Sequence, residues 1–221
     1  MTLRPGLMQR RECLVPTWRG WLVFLGACLV LSGGLLRGIY PFLAVNDPRP
    51  GGVLVTEGWA TEETMAVVLA EFRRGQYEAV FVTGGPIEKT SPLAEYKTYA
   101  EHGAMILTRV GCDPRAVHAI PAPPVVQDRT YASAVALKNW LREHGVAAEK
   151  VNVMSGGAHS RRTRLLFQKA FGDGVTVGII ASPDRDFDPR RWWASSAGFR
   201  SVTSEAIAYL YARFLFHPAD R

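Results

Sequence analysis

Two Gly-Gly turns, with the polar residues around them, carry most of the chemistry available to this sequence. Thr83-Gly84-Gly85-Pro86 and Ser155-Gly156-Gly157-Ala158-His159 each follow a short apolar run and lead towards a helix-like pattern. Glycine lets the backbone turn tightly and approach a ligand closely. Amide groups at a helix start attract anions. The second turn is followed by His159, Arg161, Arg162 and Arg164, and the spacing of His159 and Arg162 puts them on one helical face. Arginines at a helix amino terminus oppose its dipole. The cluster therefore fits an anion such as a phosphate group; the alternative is a solvated basic face paired with neighbouring helices.

Acids supply the other half of a reaction. Glu57 directly follows an apolar run, where a carboxylate acts as a base or ligand-binder, or caps the next helix. Asp128, before Arg129-Thr130, is a second proton-transfer candidate or an N-cap. Glu95 belongs to the helix expected after the first Gly-Gly turn. The expected site thus has Glu57, Asp128 and His159 as catalytic groups. Gly84, Gly85, Glu95, Arg129, Thr130, Ser155, Gly156, Gly157, Arg161 and Arg162 would bind the ligand. Ser155 lacks a G-x-S-x-G elbow and any acid-base partner at fixed spacing, which counts against a serine hydrolase. Neither G-x-G-x-x-G nor G-K-[ST] occurs, so motif implies neither NAD nor ATP. Cys13, Cys28 and Cys112 have no zinc spacing. Asp184, Asp186 and Asp188 alternate as in a calcium loop but lack its glycine and Glu. No metal is expected, and no cofactor is specified.

These residues need elements to hold them. Apolar runs predict strands near 53–55, 79–82, 116–120, 151–154 and 175–180. Between them, caps and periodicity predict helices over 61–74, 91–110, 128–144, 158–171 and 201–216. Ser91-Pro92 reads as a strong helix start, with Pro at the first helical position. Alternation of this kind implies right-handed crossovers and a three-layer α/β/α, Rossmann-like domain with a mainly parallel sheet of about five strands. Ligands bind outside the carboxyl ends of such strands, which selects the loops at 56–59, 83–86, 126–130, 155–159 and 182–185. The last helix, apolar all round, is expected to bury against the sheet. Trp192-Trp193 would pack beneath it or form a rim touching lipid.

The 221 residues are 48% hydrophobic and 21% charged, which excludes a disordered tail, a collagen-like fibre and a disulfide-dense mini-protein. The net charge is +6, but residues 1–20 hold +3 of it and Arg37 one more. Four of the six excess charges therefore flank one hydrophobic segment and argue for membrane topology rather than nucleic acid. Residues 20–36 are uncharged, close to the roughly 20 residues a membrane helix needs. Arg4, Arg10, Arg11 and Arg19 place the amino terminus in the cytoplasm by the positive-inside rule. The division expected is a basic terminus over 1–19, a single transmembrane anchor over 20–45, a linker over 46–52 and a domain over 53–221. A cleaved signal peptide lacks a clear A-x-A site, and a lipoprotein signal at Cys28 would be followed by unusually apolar residues. The domain would then lie outside the inner membrane.

The order of these motifs resembles the ElyC/SanA/YdcF family of bacterial envelope-associated proteins over about 53–216. The resemblance rests on Thr83-Gly84-Gly85, then Glu95, then Thr130, then His159 with Arg162 three residues on. Thr56-Glu57-Gly58-Trp59 replaces a Gly-rich turn and Ser133 an Asn, which marks a divergent branch. The resemblance implies a Rossmann-like fold and a role in cell-wall precursor or lipid-carrier metabolism; S-adenosylmethionine binding is associated with one member. The expectation is a domain that binds or acts on a phosphorylated small molecule or lipid-linked envelope ligand. An S-adenosylmethionine-type binder and a non-catalytic scaffold are the alternatives.

Overall fold

The computed structural model describes residues 14–88, 91–93 and 95–218. Arg4, Arg10, Arg11 and Cys13 lie outside the described residues. The chain divides into two compact units that part between residues 37 and 38.

Helix α1, Trp18–Leu43, has 26 residues and a mean hydropathy of 2.0 over its most apolar window. At 1.5 Å per residue it is about 39 Å long. It is long and apolar enough to cross a membrane, and starts and ends two residues before the expected anchor. Leu22, Val23, Leu29 and Val30 are exposed, as on a lipid-facing helix.

In the second unit, five parallel strands form one sheet in the order β3-β2-β1-β4-β5. They are β1 Val53–Glu57, β2 Val80–Gly84, β3 Val117–Pro121, β4 Lys150–Gly156 and β5 Thr176–Ser182. The crossovers are α2 Glu62–Arg74, α3 Tyr99–Arg109, α4 Arg129–Glu143 and α5 Ser160–Phe171, and α6 Ser196–Phe214 ends the fold. Leu54, Val80, Val82 and Met154 pack with Met65 and Val68 of α2 and with Leu107 of α3. Val55, Phe81 and Val153 pack with Leu137 of α4 and Phe167 of α5. With both faces covered, the strands read as continuous apolar runs.

The strand pairing has a direct consequence for the site. Val55 pairs with Phe81 and with Val153 on the α4/α5 face. Side chains alternate along a strand, so two residues on, Glu57, Thr83 and Ser155 share that face where its apolar packing ends. The order places β1 beside β4, the switch point at which such sheets bind ligands.

Two expectations are corrected. First, Ser91-Pro92 does not start a helix; α3 begins only at Tyr99. Thr98 Oγ1 accepts from the Glu101 amide at 3.2 Å while Glu101 Oε2 accepts from the Thr98 amide at 3.0 Å. This reciprocal capping box outweighs the local Ser-Pro signal, so Glu95 lies in a turn before the helix. The linker expected over 46–52 is fastened to the domain. Asp47 exchanges backbone hydrogen bonds with Ile179 on β5, and buried Asn152 holds the backbone of Arg49 and Gly51. Second, α6 does not bury against the sheet. It packs on α5 and on the 3-10 turn Pro189–Ala194, and its Phe199, Ile207, Leu210 and Phe214 stay exposed. Trp192 packs in the small core beneath it with Leu43, Ala158 and Val202.

Candidate functional site

The polar row at the strand ends continues into a chain of five side chains. Ser155 Oγ donates to Glu57 Oε2 at 2.7 Å. His159, at the end of the β4 turn, has Nε2 3.3 Å from Glu57 Oε1 and Nδ1 2.9 Å from Glu205 Oε1. Arg162, one turn along α5, donates from Nε to Glu205 Oε2 at 2.8 Å and from Nη2 to Oε1 at 3.0 Å. Glu57 is only 5% exposed. Trp59 stands edge-on to the His159 ring at 5.9 Å between centroids.

Charge in this chain is strongly perturbed. Burial works against a charged His159, but the Glu57 charge and the hydrogen bonds to Glu205 and Glu57 outweigh it and push its pKa up to about 9. Burial likewise favours neutral Glu205, but hydrogen bonds from His159 and Arg162 hold it down at about 2. The two carboxylates thus favour the imidazolium form of His159, the form that donates a proton.

The chain forms part of the floor of a cleft of about 1010 Å³. Thr83, Gly84 and Gly85 line one side, and α6 contributes Ala208, Tyr211 and Ala212. The buried Thr83 hydroxyl has no hydrogen-bond partner among the described residues. Asp128, Arg129, Thr130 and Ser133 bring in the start of α4. Asp128 occupies its N-cap position in the left-handed conformation, φ 55° and ψ 37°, with no side-chain cap bond. The amino end of α4 is thus uncapped by any side chain and borders the cleft. Neither Asp128 nor Arg129 has a side-chain partner among the described residues.

No family model matches this chain, and no curated protein does either. The chemistry must be read from the site itself.

The β4–α5 turn is not the anion cradle its glycines suggest. The Ala158 amide already donates to Asp184 Oδ2 at 3.0 Å. A Cβ on Gly157 would stand 2.5 Å from Tyr40 Oη and 2.6 Å from Asp184 Oδ2, so internal packing requires this glycine. Gly84 is constrained in the same way by Tyr99 and Ala100 of α3, at 2.7 and 2.8 Å. The arginine cluster is also satisfied internally. Arg161 donates to the Phe42 carbonyl and covers its ring, Arg162 pairs with Glu205, and Arg164 pairs with Asp47 at 2.9 Å. The paired-face alternative describes Arg161 and Arg164.

The cleft therefore gathers Glu57, Gly84, Gly85, Asp128, Arg129, Thr130, His159 and Arg162. Ser155 lies beneath its floor, 2% exposed, donating to Glu57 and within 3.2 Å of Thr163 Oγ1. Glu95, Gly156, Gly157 and Arg161 are not among its lining residues. Glu205 is the residue sequence reasoning missed. Its signal was present: it is the one acid in α6, on the helical face that carries Gly198, Val202 and Ala212. Among the described residues no group of three His, Cys, Asp or Glu is placed to hold a metal.

Proposed function

We propose that this chain is a membrane-anchored domain that binds a small phosphorylated ligand of the cell envelope and transfers or hydrolyses its phosphate-containing group. The observation that carries the reading is the pairing, in one cleft, of a proton-transfer couple with an uncapped helix start. Glu57 serves as proton acceptor and His159, held protonated, as proton donor to a leaving oxygen. The start of α4, with Arg129 and Thr130, holds the anionic group. The arginines ahead of α1 support a cytoplasmic amino terminus and an extracytoplasmic domain at the inner membrane.

Thermal unfolding of the full chain in detergent tests the reading. Phosphate, pyrophosphate, nucleotides, short-chain polyprenyl phosphates and S-adenosylmethionine are added singly. A phosphorylated compound at 100 times its Kd should stabilise the fold by about 2.7 kcal/mol. Arg129→Ala should abolish the shift, and Glu57→Gln should keep binding but lose turnover. No shift with any phosphorylated compound, or a shift with S-adenosylmethionine alone, overturns the proposal.

A further inference from the structure

Helix α6 is inside out for a helix of a water-soluble domain. Its buried positions are small, Gly198, Val202 and Ala212, and the same face carries Glu205 and the half-buried Tyr209. Its large apolar residues, Phe199, Ile207, Leu210 and Phe214, recur at helical spacing on the outside, where Ile207 is 69% exposed. Leu215, 72% exposed, extends the strip, and the exposed Arg200 and Arg213 lie along it. An apolar strip of this length on a surface marks a contact.

The neighbourhood of α6 says with what. Residues 38–43, the end of α1, belong to the same compact unit as α6. The Phe42 ring meets Tyr209 edge-on at 5.5 Å, and Leu43 is buried with Val202. The last turn of α1 thus packs directly on α6. A helix that touches the last turn of a membrane-crossing helix is within side-chain reach of the bilayer surface. Outward apolar residues with arginines beside them suit that interface, where the charged heads reach the phosphates. The geometry points to α6 lying on the lipid headgroup region of the chain's own membrane, with Phe199, Ile207, Leu210 and Phe214 dipped into it. Tyr211 and Ala208 of the same helix line the cleft, so the cleft opens beside the lipid surface. The inference rests on α1 spanning the bilayer.

The test uses the full chain in vesicles of phosphatidylethanolamine and phosphatidylglycerol, with Cys13, Cys28 and Cys112 changed to alanine. Ile207→Cys, Leu210→Cys and Phe214→Cys each receive an environment-sensitive fluorophore. Leu29→Cys reports the span, and Glu143→Cys a water-exposed helix end. The expected result is quenching of the three α6 labels by headgroup-proximal doxyl lipids and shielding from aqueous iodide. Iodide access at α6 while Leu29 stays quenched by deep doxyl groups overturns the inference and leaves the span intact. Shielding that appears only at high protein-to-lipid ratio, without lipid quenching, assigns the strip to a second copy and also overturns it. A Leu29 label that lipid does not quench removes both the span and the inference.

Discussion

Glu57 and Glu205 lie against the two nitrogens of His159 and raise its pKa. The stability consequence has a definite sign. The folded pKa of His159, about 9, lies above the ordinary value near 6.5. Its contribution is therefore complete below pH 6.5 and is lost as pH rises through about 9. Glu205, at about 2, lies below its ordinary value of 4.5, so its contribution is present above pH 4.5 and is lost as pH falls towards about 2. Glu205→Gln leaves Arg162 and His159 with one neutral partner between them. Breaking a buried pair in this way costs about 3–5 kcal/mol. The expected result is a lower Tm at pH 7 and a flatter loss of Tm between pH 6.5 and 9, followed by circular dichroism. An unchanged alkaline slope removes Glu205 from the set of groups that hold the His159 proton.

Helix starts decide where an anion can sit. The start of α5 is occupied by Asp184 through the Ala158 amide, whereas the start of α4 has only the left-handed Asp128 before it. A side chain in that conformation costs roughly 1–2 kcal/mol, least for Asn and Asp. Asp128→Gly should therefore keep the urea midpoint close to that of the parent, while Asp128→Val should lower stability by about 1–2 kcal/mol. If the Asp128 carboxylate takes part in proton transfer, the folded Asp128→Gly protein loses turnover. Full activity in it would reduce Asp128 to a backbone role. The elements also show how a strong local signal loses. Ser91-Pro92 has the residue types of a helix start, but the complete reciprocal cap lies at Thr98 and Glu101.

Across the whole molecule, one buried side chain fastens the segment between α1 and β1. Asn152, fully buried on β4, accepts from the Arg49 amide at 2.7 Å and donates to the Arg49 and Gly51 carbonyls at 2.8 Å each. Arg164 adds an ion pair to Asp47. Asn152→Ala leaves these backbone groups without their partner, at about 1–3 kcal/mol for each buried unsatisfied group. The expected outcome is faster hydrogen exchange of the Arg49 amide, the one Asn152 holds, in the variant than in the parent. Equal exchange rates in both proteins would show that the segment is held elsewhere.

By itself the sequence determined the alternation of strands and helices, hence the parallel sheet, because burial on both faces writes continuous apolar runs into β1 and β2. It also determined that Glu57, Asp128 and His159 stand at strand ends or loop ends, because ligand loops follow strands in this architecture. It marked the apolar span of α1, because length and hydropathy are local properties. Tertiary structure alone decided which charges meet. Glu205 is 43 residues from Arg162 in the chain, so no spacing rule links them. The same holds for Asp184 at the α5 start and Asp47 on Arg164, which neutralise groups that read in sequence as waiting for a ligand. Charge pairing is set by through-space distance, and only the packing of α6 on α5 and of the linker on β5 fixes those distances.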